Sequence, residues 1–187
     1  MINSVKPNLI VSDSRGAWFR ATILFILALI GTVGMWSVVV FIPDIEKEFG
    51  LDRGTSSLLY AFTMIGFGFG TVVIGKVYDK FGIKKPILLA TFVLITSYYF
   101  YSIFPFYWQF LILQFFMGFA ASAFFGPAMA DISNFFNKQR GFALSIVASA
   151  NYVAGATWPL LIGYFLTFID WRACLLYTSD AADESVG

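Results

Sequence analysis

Gly75-Lys-Val-Tyr-Asp-Lys-Phe-Gly-Ile-Lys-Lys85 places four lysines and one aspartate between two long runs that carry no charge. The run before it covers 54–75, and the run after it covers 86–130. Two further charge-free runs cover 21–42 and 141–169. About 20 consecutive apolar residues cross a bilayer as a helix. The 45-residue run from Pro86 to Ala130 therefore predicts two spans, divided near Ser102–Trp108 where Pro105 stands among aromatic residues. Five spans are expected, at about 19–42, 55–76, 86–104, 109–130 and 142–166. The runs are rich in Leu, Ile and Phe and lack period-two alternation, which predicts helices rather than a barrel. The fold class read from the residues is thus all-α and integral to a membrane.

Composition agrees. The 187 residues are 59% hydrophobic and 12% charged, against about 25% charged in a soluble domain. The first apolar run is longer than the apolar core of a cleavable signal and lacks a small-residue cleavage site. Residues 1–16 read as a polar cytoplasmic tail.

Lysine and arginine set the orientation. If the N-terminus is inside, that side holds Lys6, Arg15, Arg20, Lys76, Lys80, Lys84, Lys85, Lys138 and Arg140. The other side holds Lys47, Arg53 and Arg172. Nine against three favours a cytoplasmic N-terminus. The loop after the first span is acidic, with Asp44, Glu46, Glu48 and Asp52.

Within the spans, small residues recur at contact spacing. Gly66 and Gly70 stand in the second, and Gly118, Ser122, Gly126 and Ala130 in the fourth. Such stripes let helix backbones approach where lipid gives no hydrophobic drive. Pro127 and Pro159 lie inside the fourth and fifth spans, where proline removes a backbone hydrogen bond. Trp36, Gln114 and Asn151 are the polar or amphipathic candidates for lining a path, because a buried amide must face protein or a water-filled cavity. Packing between helices accounts for Asn151 as well as lining does. Trp36 and Trp158 lean toward packing. No acid or base stands mid-membrane, and histidine is absent from the sequence. Without a nucleotide loop, a nucleophile motif or a metal-ligand cluster, the residues argue against an enzyme, a metal site or a bound cofactor.

Cys174-Leu-Leu-Tyr-Thr-Ser-Asp-Ala-Ala-Asp-Glu184 resembles the translation of a transposase adapter used in sequencing libraries. Residues 174–187 are therefore expected to be an artefactual tail, leaving Met1–Ala173 as the natural part, with 17–173 its transporter-like segment. Without the tail the charge is 12 basic minus 8 acidic, or +4.

Gly75, Asp79, Lys80, Gly82, Lys84 and Lys85 resemble the signature loop of the major facilitator superfamily, between its second and third helices. Ile83 stands where that pattern often has a basic residue. The stretch from Asn134 to Gly155 is similar to the fourth-to-fifth helix region of monocarboxylate and oxalate–formate type facilitators, and Trp171-Arg172 resembles a pair found between helices five and six. The resemblance covers about 17–173. It implies most of the N-terminal six-helix half of a twelve-helix transporter, truncated after five helices, in a bacterial inner membrane. In this superfamily each half contains inverted three-helix repeats. The resemblance also implies alternating-access movement of a small organic solute, such as a monocarboxylate, with a coupling proton or ion. The missing C-terminal half and the bilayer are the other implied partners. The Gly75–Lys85 loop would act as the inner gate, with Asp131 and Arg140 as a neighbouring charge cluster. Gly75 would admit a neighbouring helix and Gly82 a tight turn. Ala154-Gly-Ala-Thr-Trp-Pro-Leu-Leu-Ile-Gly163 departs from the antiporter pattern at Trp158 and Ile162. A second reading is a five- or six-helix scaffold or anchor protein that transports nothing.

Overall fold

The computed structural model describes residues 13–168 and Trp171. The tail at 174–187, most of the tail at 1–16, and Arg172 lie outside the described residues. Six helical segments follow one another: α1 (Arg15–Gly31), α2 (Val33–Phe49), α3 (Arg53–Phe81), α4 (Lys84–Ile103), α5 (Tyr107–Phe135) and α6 (Arg140–Phe165). With α1 and α2 taken together as one span of 35 residues, Arg15–Phe49, five helices among the described residues are long and apolar enough to cross a membrane. Leu160 and Tyr152 on α6 are 75% and 76% exposed, beside exposed Leu161 and Tyr164. That surface suits lipid or further protein rather than water.

Helices run past the charge-free windows at both ends. Asp52 caps α3, accepting from the Gly54 and Thr55 amides at 2.8 and 3.2 Å. Satisfying those first amides lets α3 begin at Arg53. The other end continues to Phe81, where Gly82 takes a φ of 73° and ends the helix. The 29 residues of α3 make a rod of about 43 Å at the standard rise, longer than the ~30 Å hydrocarbon layer. The stretch from Gly75 to Lys85 is thus no eleven-residue loop. Its first seven residues are the end of α3, and only Gly82 and Ile83 separate α3 from α4. Charge marks where lipid ends; the backbone keeps its helix until glycine releases it.

Pro105 acts as the sequence suggested. Phe104 before it is extended, at φ −73° and ψ 134°, and closes α4, because the proline ring disfavours helical geometry in its predecessor.

The first span differs from the single helix expected at 19–42. Thr32 interrupts it with φ −94° and ψ 4°. Its hydroxyl donates to the Ala28 carbonyl at 2.8 Å.

Two apolar clusters tie the first span to α6, one at the start of both helices and the other running through the rest of the bundle. Ala17, Ala21 and Leu24 share one with Ala128, Ile132, Ala143 and Val147. Phe41 and Ile42 share the other with Tyr101, Phe110, Ile162 and Trp171. The first span and α6 therefore run parallel. Between the ends, α3 and α5 cross at their small residues. A Cβ on Gly66 would overlap the Phe115 carbonyl, and one on Gly118 would overlap the Thr63 carbonyl. That contact is direct backbone packing of the small-residue kind.

Buried polar groups are paired. Gln114 accepts from the Thr63 hydroxyl at 2.8 Å and donates to the Tyr101 hydroxyl at 3.3 Å. The Ser37 and Tyr98 hydroxyls stand 3.1 Å apart. Among the described residues, no buried side-chain nitrogen or oxygen lacks a partner.

Candidate functional site

At the lysine-rich end, Gly75 and Asp79 lie in the final turns of α3, with Lys80 beside Asp79, and Lys84 and Lys85 open α4. Asp79, Lys80, Lys84 and Lys85 are exposed. The Lys85 ammonium stands 4.0 Å above the Phe81 ring, a cation–π contact that fixes one lysine beside the turn. Asp79 faces the negative end of the α3 dipole, where an acid is disfavoured. Among the described residues no cation pairs with it. A Cβ on Gly75 would meet open space, so no described helix makes the close approach expected there.

The charge pair at this end differs from the expected one. Asp131 on α5 is buried and bonds Arg20 on α1, with Oδ2 2.5 Å from Nε and Oδ1 2.9 Å from Nη2. The Arg20 guanidinium also lies 4.5 Å above the Phe135 ring. Arg140 is exposed at the start of α6, so the expected Asp131–Arg140 cluster becomes an Asp131–Arg20 pair. Arg140 follows the turn after α5, whereas Arg20 stands on the α1 face that packs against α5. The turn itself is held by Asp13, which the residues alone did not single out. Its carboxylate accepts from the Asn137, Lys138 and Gln139 amides at 3.4, 3.1 and 3.1 Å. The three amides before α6 are a ready anion cradle, and Asp13, at φ 59°, fills it.

Mid-membrane, two of the three path candidates meet. Trp36 on α2 donates its indole N–H to the Asn151 Oδ1 on α6 at 3.2 Å. Both are half-buried. A Cβ on Gly155 would press on the Trp36 ring at 2.9 Å, so Gly155 makes the seat for that indole. Gln114, the third candidate, is 2% exposed. It is taken up by Thr63 and Tyr101 on α3 and α4, away from Trp36. The Asn151 amide nitrogen and the flat Trp36 face offer a hydrogen-bond donor and an aromatic wall, a fit for a small organic group with an acceptor oxygen.

At the opposite end Glu46, Glu48 and Asp52 are tied down. Glu46 accepts from the Ser56 hydroxyl and pairs with Arg53 at 3.3 Å. Glu48 accepts from the Trp171 indole at 3.1 Å. The Asp52 carboxyl lies below the usual carboxylate range, held there first by the Thr55 hydroxyl and then by the amides it caps.

These features define a polytopic helical membrane protein with one lysine-rich end and, among the described residues, a half-buried polar pair between α2 and α6. The chain matches the model of the Major Facilitator Superfamily over residues 24–179 and belongs to that family. The family and its relatives are transporters rather than enzymes. The match ends inside the segment that resembles an adapter. The inner membrane transport protein YnfM of Escherichia coli strain K12 is 23% identical over 173 residues, covering 91% of this chain and 41% of that protein. The MFS transporter asaE of Aspergillus flavus is 31% identical over 105 residues, covering 56% of this chain and 23% of that protein. The fujikurins efflux protein of Gibberella fujikuroi is 32% identical over 97 residues, covering 51% of this chain and 21% of that protein. The chain thus spans less than half the length of these relatives.

Proposed function

We propose that this chain is the N-terminal part of a secondary transporter that moves a small organic solute by alternating access. The solute class we favour is a monocarboxylate or related organic anion. The complete protein would sit in a bacterial inner membrane with its lysine-rich end in the cytoplasm, as the nine-to-three distribution of basic residues supports. The observation that carries the reading is the Trp36–Asn151 pair, a donor and an aromatic face on two different spans, open on one side. A second half would supply the facing wall and the coupling proton or ion. Gln114 serves packing in this scheme.

The exposed Asp79 would engage the second half at the cytoplasmic end while the path opens outward. Its release would accompany inward opening. Proteoliposome uptake of labelled monocarboxylates by the complete protein tests the reading. Saturable uptake that Asn151→Ala weakens, with unchanged insertion, supports it. A complete protein that inserts but moves no solute in either direction would return the chain to the scaffold reading.

A further inference from the structure

The break at Thr32 stands one turn before Trp36, and α6 touches the chain on both sides of it. Asn151, Gly155 and Trp158 fall at i, i+4 and i+7, one face of a helix. Asn151 and Gly155 hold Trp36, beyond the break. Trp158 donates its indole N–H to the Leu29 carbonyl, before the break, at 2.7 Å. The last carbonyls of a helix lack their usual intrahelical donors. Here Ala28 receives both the Thr32 amide and the Thr32 hydroxyl, while Leu29 receives the indole at 2.7 Å and the same hydroxyl at a longer 3.4 Å.

The opposite side of the break is loosely filled. A cavity of about 330 Å³ is lined by Ile30, Gly31 and Val33 at the break, with Leu94 and Tyr98 of α4 and Phe124 of α5. Its walls are apolar, so it offers room for a change of angle without unsatisfied polar groups. Gly31 also lies against the Phe124 ring, where any side chain would overlap it.

We propose that Trp158 is a positioning residue. Its hydrogen bond to Leu29 fixes the angle between α1 and α2 and thereby the seat of Trp36 against Asn151. The break is a joint, gripped by α6 on one side and free to bend into the cavity on the other. The joint itself is a property of this chain and does not depend on transport. Only its consequence for solute rests on the function proposed above.

The test uses the complete protein in lipid nanodiscs, labelled with 15N-tryptophan, and follows the indole N–H resonances. Trp158→Phe keeps a ring and removes the donor. The Trp36 resonance should shift, and its hydrogen exchange should quicken about fivefold or more, the factor one ordinary hydrogen bond corresponds to. Thr32→Val should act in the same direction, and Thr32→Ser should restore the parent signal. A Trp36 resonance and exchange rate unchanged in Trp158→Phe would overturn the proposal. So would a Thr32→Ser protein that behaves like Thr32→Val. Because neither readout involves solute, failure of the joint and failure of the transport reading are separable.

Discussion

Arg20 of α1 and Asp131 of α5 are 111 residues apart in sequence and joined by two parallel hydrogen bonds of 2.5 and 2.9 Å. The pair welds the first span to the fourth at the lysine-rich end. The carboxylate is buried, while the guanidinium is about one-third exposed. Removing the arginine leaves a buried charge with no counter-ion, which costs more than losing an exposed pair. Arg20→Ala should lower stability by about 1–3 kcal/mol, discounted for the partial exposure of Arg20. The double change Arg20→Ala with Asp131→Asn should cost less than the sum of the singles. Denaturation in mild detergent measures this. Additive losses would show the two groups to be independent.

Asp79 makes the opposite case. It is exposed, stands in the last turn of α3 and meets no described cation. Asp79→Asn should leave stability unchanged or raise it by about 0.3–1 kcal/mol, since it removes a charge from the wrong end of the dipole. Under the gate proposal the same change should reduce transport by the complete protein while insertion stays normal. A clear fall in stability would mean that the carboxylate has a structural partner instead.

The α3–α5 crossing is the tightest contact in the fold, and Gly118 is its centre. Gly118→Val forces a branched side chain into the Thr63 carbonyl. Overpacking of this kind costs about 1–3 kcal/mol, and here the obstacle is backbone, which cannot rotate away. Gly126→Val provides the control, because a Cβ there meets only the Thr71 methyl at 3.9 Å. Thermal inactivation should separate the two. Equal effects would show that helix propensity, and not the crossing, is at stake.

Acid should loosen the start of α3. The Asp52 carboxyl is held below its ordinary value, chiefly by the Thr55 hydroxyl. A depressed carboxylate contributes stability that is fully present above its unfolded value, near pH 4, and is lost as pH falls through the folded value. Asp52→Ala should therefore lower the thermal midpoint at pH 6 and make progressively less difference as the pH is taken below about 4. A deficit that stays constant down to pH 2.5 would assign the cap to shape rather than charge.

How much of this was legible in the sequence differs from element to element. Charge-free runs gave the five spans because lipid excludes charge over a fixed thickness. They could not give helix ends, which depend on the Asp52 cap and on Gly82. The break at Thr32 was hidden inside 21–42, a run so uniformly apolar that no period distinguishes one helix from two. Gly31 and Gly34 were its only local signal. Asp131 was legible as an inner-end acid, but its partner was set by which face of α1 meets α5. Arg140, nearer in sequence, is exposed at the start of α6. Trp36 and Asn151 were singled out by polarity, and folding brought them together. Polarity equally singled out Gln114, which folding sends to a different interface.

That last contrast can be tested directly. Gln114 and Asn151 are both amides in apolar spans, and their surroundings assign them different work. Gln114→Leu removes two buried hydrogen bonds, to the Thr63 and Tyr101 hydroxyls, while Thr63 keeps the Leu59 carbonyl at 2.9 Å; at roughly 0.5–1.5 kcal/mol for each lost bond the variant should be destabilised by about 1–3 kcal/mol. It should therefore weaken the protein with little change in the KM of the complete transporter. Asn151→Leu leaves only the half-exposed Trp36 indole unpaired, so stability should fall by less than about 1 kcal/mol. Its effect should appear in KM, because the path loses its amide donor. Measuring stability and uptake for both variants gives four numbers. A crossed pattern, with Gln114→Leu altering KM and Asn151→Leu altering stability, would exchange the two roles and move the path to the α3–α5 side of the bundle.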